Sequence, residues 1–173
     1  MNDRFARQLR LDQVRDGERL DLVADDVERA AIARRLDLSA LDRLEAHVCL
    51  ERTGDVVRAN GRLLASLDQS CVITGEPVAA HIDEPFALMF MPEPPVARPD
   101  EEIELGSGDL DVVFHDGAAI DLGSALADTL ALSLDPYPRS AGAAAALKEA
   151  GVLTEEQASP FAVLASLKKS GES

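Results

Sequence analysis

Cys71 and Thr74, in Gln69-Ser70-Cys71-Val72-Ile73-Thr74-Gly75-Glu76-Pro77, set a thiol and a hydroxyl three residues apart, a spacing at which two cysteines would hold one side of a tetrahedral zinc ion. With one thiolate the turn cannot do so. As a nucleophile Cys71 would need a neighbouring cation to lower its pKa; no Lys, Arg or His lies near it in sequence and Glu76 would raise it, so a plain buried or turn cysteine is expected. His47, His81 and His115 recur at equal intervals with unlike neighbours, and a metal triad would have to converge from three strands, so exposed or edge imidazoles are expected instead. Gly106-x-Gly108 sits in an acidic stretch and opens no helix after a strand, and neither a nucleophile elbow nor a paired-carboxylate motif is present. These absences lead us to expect no catalytic residue, no metal and no cofactor. A small hydrolase of unknown substrate is the last of three functional readings.

The elements around these residues follow from periodicity. Leu44, Ala46, Val48 and Leu50 alternate with Glu45, His47, Cys49 and Glu51, the signature of a half-buried strand. Gly54-Asp55 supplies a tight turn into a second alternating run, Val57, Ala59, Leu63, Ala65 and Leu67 against Arg58, Asn60, Arg62, Ser66 and Asp68. A third run, Val78, Ala80, Ile82, Phe86, Leu88 and Phe90, completes a three-stranded antiparallel meander. Short strands are expected at residues 9–11, 20–23 and 110–114, and Asp25 or Asp26 caps a helix over 27–36. Asp121 caps another, whose Leu122, Ala125, Leu126, Thr129, Leu130 and Ser133 form one stripe that stops before Pro136. Asp135-Pro136-Tyr137-Pro138-Arg139 is too rich in proline for a helix or a central strand and reads as a surface turn. An Ala-rich helix ends near Gly151, and Ser159-Pro160 opens a last helical turn with Phe161, Leu164 and Leu167. The expected fold class is α+β, an antiparallel sheet or partly closed β-barrel with helices packed on one side. We expect a single domain over residues 1–158 with an acidic loop at 92–109, and a C-terminal helical segment and tail at 159–173.

Charge is unevenly spread. Of the formal net charge of -15, nearly all lies in residues 63–138, where Arg98 alone opposes 15 Asp and Glu residues. Such a segment repels phosphate and attracts basic partners. The aromatic content of 3% leaves little for base stacking. Two cysteines make no disulfide framework, and the sequence shows no secretory or membrane-length apolar run, so a cytoplasmic monomer with reduced thiols and no membrane contact is expected.

Taken in order, the strand from Gly61 ending in Cys71-Val72-Ile73-Thr74-Gly75-Glu76-Pro77, then Ile120-Asp121-Leu122-Gly123, the helix Ala125 to Leu134, Asp135-Pro136-Tyr137-Pro138-Arg139 and the terminal Ser159 to Leu164 resemble the YceD family in its alphaproteobacterial form. The resemblance covers roughly residues 20–169, and it implies a part in large-subunit ribosomal RNA accumulation without catalytic activity. Relatives often carry Cys-x-x-Cys where this chain has Cys71 to Thr74, so a zinc site carried over from them does not apply here. They often run Asp-Leu-Gly-Glu where this chain has Asp121-Leu122-Gly123-Ser124. The expected mode is binding of a basic ribosomal or assembly protein through Glu93, Asp100, Glu101, Glu102, Glu104, Asp109, Asp111 and Asp116, with rRNA contacted indirectly or weakly. The second reading is an RNA-contacting factor using Arg4, Arg7, Arg10, Arg29, Arg34 and Arg35.

Overall fold

A two-residue reversal at Gly54-Asp55, where Gly54 takes a left-handed φ of 62°, folds residues 40–70 back on themselves. The structure, a computed structural model, describes residues 3–5, 8–94 and 111–152. In chain order the elements are β1 (Asp3–Arg4), β2 (Gln8–Arg10), a 3-10 turn (Leu11–Gln13), β3 (Glu18–Val23), α1 (Asp26–Arg35), β4 (Ala40–Thr53), β5 (Val56–Ser70), β6 (Pro77–Pro92), β7 (Asp111–His115), β8 (Ala119–Asp121), α2 (Leu122–Ser133) and α3 (Ala143–Glu149). Six strands form one open sheet in the order β1-β3-β4-β5-β6-β7, and β2 pairs with β8 in a second. The fold is α+β and the sheet does not close into a barrel. Its centre is antiparallel, but β1 runs parallel to β3 and β7 parallel to β6. Alternation in the sequence carries no information on those two edge directions, because both depend on how the chain returns to the sheet.

The chain separates into two compact units: Met1–Gln69 with Ala79–Pro136, and Ser70–Val78 with Tyr137–Ser173. In the first, the expected apolar faces are the buried ones. Leu44, Ala46, Val48 and Leu50 of β4, Val57, Ala59, Leu63, Ala65 and Leu67 of β5, and Phe86, Leu88 and Phe90 of β6 enter one core with Leu122, Ala125, Leu126 and Leu130 of α2. Each fully buried Leu or Phe contributes about 1.5–3 kcal/mol. Asp121 caps α2 by accepting the Ser124 N–H at 2.9 Å, and the Thr129 and Ser133 hydroxyls donate back to the carbonyls of Ala125 and Thr129 on the same helix. α1 buries no residue; Asp25 and Glu28 form a capping box over its first turn, and it rests on β4. Among the described residues no helix is long and apolar enough to cross a membrane.

Gly61 is the point of closest approach in the sheet. It faces the core opposite Val48, and a Cβ there would overlap the His47 carbonyl and lie 2.9 Å from the Phe86 ring. The ring covers the space that a side chain would fill. We predict that Gly61→Ala lowers stability by about 1–3 kcal/mol, the cost of overpacking, in chemical denaturation. Phe86→Leu in the same chain should recover only part of it, since the carbonyl overlap remains. Unchanged stability of Gly61→Ala would show that the backbone yields there freely.

Candidate functional site

The second unit is organised around the turn between β5 and β6. Cys71 N–H donates to the Glu76 carbonyl at 2.8 Å and Gly75 N–H to the Cys71 carbonyl at 2.9 Å, with Gly75 at φ 74°. Val72 N–H donates to the Pro138 carbonyl at 2.9 Å, which joins a residue of the segment 69–77 singled out in the sequence to one of the segment 135–139. Cys71 is buried, and its Sγ accepts the N–H of Thr74 at 3.4 Å and that of Ser140 at 3.2 Å. Glu76 Oε2 accepts the hydroxyls of Thr74 at 3.0 Å and Ser140 at 2.7 Å, and the two hydroxyls stand 3.1 Å apart. Ser140 is the member that sequence reasoning missed; its only signal was its place directly after Arg139.

The expectation that nothing lowers the Cys71 thiol is corrected by this geometry. Burial pushes its pKa up, but the N–H and hydroxyl groups of Ser140 and Thr74 together outweigh burial and bring it to about 6. The stabilising groups are neutral N–H and hydroxyl donors, those of Ser140 lying 69 residues away, so a search for nearby cations could not find them. Glu76 is likewise held below the usual carboxylate range by the hydroxyls of Ser140 and Thr74, against a smaller opposing effect of burial. A thiolate, two hydroxyls and a carboxylate thus form one hydrogen-bonded knot. Among the described residues no group of three or more His, Cys, Asp or Glu side chains is placed to hold a metal ion.

In the first unit the histidines separate. His47 and His81 lie on the exposed outer face, His47 Nδ1 at 2.7 Å from Asp21 Oδ1 and His81 Nδ1 at 3.2 Å from Ser66 Oγ. His115, expected to be exposed or at an edge, is buried: its Nδ1 accepts the Gly117 N–H at 3.0 Å and its Nε2 meets the Asp55 carbonyl at 2.9 Å. Those two contacts come from the turns on either side of it, which no local pattern announces.

Of the residues expected to bind a partner, Glu93, Asp111 and Asp116 are exposed. Glu93 follows β6, its N–H donating to the His115 carbonyl at 3.0 Å, and Asp111 opens β7 opposite Leu88. Asp116 is held below the usual carboxylate range by the N–H groups of Ala118 and Ala119. Asp100, Glu101, Glu102, Glu104 and Asp109 lie outside the described residues, as does the segment from Ser159 onward. Of the family-motif residues, Asp121 caps α2, Leu122 and Gly123 are buried, Pro77 opens β6, and the Asp135 carbonyl accepts the Gln69 side-chain amide at 2.8 Å. Pro136 and Tyr137 are exposed. The arginines of the RNA-contacting reading are largely engaged: Arg10 with Asp12, Arg29 with Asp26 and the Ala24 carbonyl, Arg35 with Asp128, and Arg34 with the Ala30 carbonyl. Arg7 and the Arg4 side chain lie outside what is described.

The family model described as Large ribosomal RNA subunit accumulation protein YceD matches residues 59–168. That span runs from near the start of β5 through the turn and α2, and the chain belongs to this family. No curated protein matches, and no solved structure does.

The low thiol pKa can be measured directly. In a Cys49→Ser background we predict that ultraviolet thiolate absorbance titrates with a midpoint of about 6, well below the ordinary 9.0. Because the folded value lies below the unfolded one, Cys71 ionisation adds stability as pH rises across that window. The melting temperature of the parent should gain on that of Cys71→Ala between those two pH values. A constant gap between the two proteins would remove the thiolate from the account.

Proposed function

We propose that this protein supports accumulation of large-subunit ribosomal RNA as a non-enzymatic cytoplasmic monomer, by holding a basic ribosomal or assembly protein on its acidic middle segment. The family membership supports the process. The mode is supported by one contrast. Of the arginines in the RNA-contacting reading, Arg10, Arg29, Arg34 and Arg35 are met by carboxylates or carbonyls of the fold, while Glu93 and Asp111 of the middle segment are solvent-exposed. Pairing of exposed charges is worth little in stability, but it removes the bare positive stripe that a grip on phosphate requires. Exposed carboxylates without matching cations leave a negative field that steers a basic partner into contact and sets the salt dependence of the encounter. The contact residues in this reading are Glu93, Asp100, Glu101, Glu102, Glu104, Asp109, Asp111 and Asp116.

The test is capture of ribosomal proteins from nuclease-treated lysate. Capture should fade between low and physiological salt, as the Debye length falls to about 8 Å. The combined variant D100N/E101Q/E102Q/E104Q should lose it with an unchanged melting temperature, since exposed carboxylates contribute little to stability. Equal capture by the variant, or tight binding of purified ribosomal RNA by the parent at physiological salt, would replace this reading with RNA contact through the arginines.

A further inference from the structure

Beside β7 the first unit carries a cavity of about 270 Å³, below the roughly 300–1,000 Å³ of pockets for drug-sized ligands and nearer the size of one long side chain. Phe90 and Ile120, both fully buried, and the half-buried Val113 give it an apolar floor. Phe114, 51% exposed, and the carboxylates of Asp116 and Asp121 also line it. Among the described residues no Lys or Arg lines it, and His115, which does, has both nitrogens engaged with backbone groups of Asp55 and Gly117.

The carboxylates are oriented by the fold. Asp116 Oδ1 accepts the N–H of Ala118 at 2.9 Å and of Ala119 at 3.5 Å, and Asp121 Oδ1 accepts the N–H of Ser124 at 2.9 Å. The N–H bonds to Asp116 also favour its charged form. An apolar floor below two fixed carboxylates suits a side chain with an apolar stem and a cationic head. A guanidinium suits this better than an ammonium, because it offers a planar fork of donors to more than one carboxylate where an ammonium is a point charge, and it stacks on aromatic rings such as that of Phe114, one of the lining residues.

We propose that this cavity receives an arginine side chain of the partner, a deepening that rests on the reading that the partner is a basic protein. The test titrates the isotope-labelled full chain, at low salt, with a short Gly/Ser peptide carrying one central arginine, and with its citrulline and lysine counterparts, followed by amide NMR shifts. The arginine peptide should move the amides of residues 113–121, the citrulline peptide should not, and the lysine peptide should bind several-fold more weakly. Asp116→Asn and Asp121→Asn keep the capping oxygen, and so the fold, and each should weaken the arginine peptide by roughly tenfold, as expected for loss of a charge-assisted hydrogen bond. Phe114→Ala should weaken it by about 2- to 5-fold. Equal shifts with citrulline, equal affinity for lysine, indifference to both Asn variants, or shifts confined to other residues each overturn the assignment. The two readings separate cleanly. If the cavity ignores arginine while lysate capture still depends on Asp100 to Glu104, this site fails and the docking reading stands. If the cavity binds arginine while capture ignores those acids, the acidic segment fails as the docking element and the cavity stands.

Discussion

The long ladder between β4 and β5 is the constraint on which the remaining structure depends. It runs from Ala40 opposite Asp68 to Thr53 opposite Val56, with one irregularity between Leu41 and Arg43. Side chains on a strand alternate, so a slip of one residue would turn Leu44, Ala46, Val48 and Leu50 outward and bring Glu45, His47, Cys49 and Glu51 into the core. That penalty sets the register, and the register then decides where everything else attaches. β3 adds to the free edge of β4, and β6 to the free edge of β5. Gly61 belongs to the same constraint: it stands opposite Val48 in the ladder, and the Phe86 ring lies over it.

What could be read from the sequence was whatever local chemistry decides. The turn at Gly54-Asp55, the alternation of β4, β5 and β6, the cap at Asp121 and the stripe of α2 all rest on residues a few positions apart, and their boundaries agree with the structure to within a few residues. The N-cap of α1 was narrowed to Asp25 or Asp26, and Asp25 holds it because Glu28 closes the capping box. Features made by distant segments were not readable. The parallel directions of β1 and β7, the pairing of β2 with β8, the burial of His115 and the arrival of Ser140 at Cys71 all depend on partners that no sequence window contains. For the thiol the miss concerned kind as well as distance, because the donors that lower its pKa are neutral N–H and hydroxyl groups rather than cations.

The two segments most visible in the sequence therefore do different work. The turn at Cys71 to Pro77 is finished internally: each polar side chain in it is answered by another within the same unit. The acidic stretch is the opposite case. Arg62 answers Asp83 and Arg35 answers Asp128, but Glu93 and Asp111, both expected from charge alone to meet a partner, are solvent-exposed. An interaction surface is sought first where the fold leaves its charges uncompensated, and here that is the middle of the chain.

The small β2–β8 sheet has a consequence for how the protein comes into being. Gln8, Leu9 and Arg10 pair with Asp121, Ile120 and Ala119, so β2 leaves the ribosome well before the strand it must wait for. Until then Leu9, which ends up buried, stays without its partner, while β4 and β5 can already close upon each other. Closing so long a loop is entropically costly and slow compared with hairpin formation. The nascent chain should thus acquire its central hairpin during synthesis and its N-terminal strand only after α2 begins to emerge, leaving a period in which the first residues are open to chaperones and proteases.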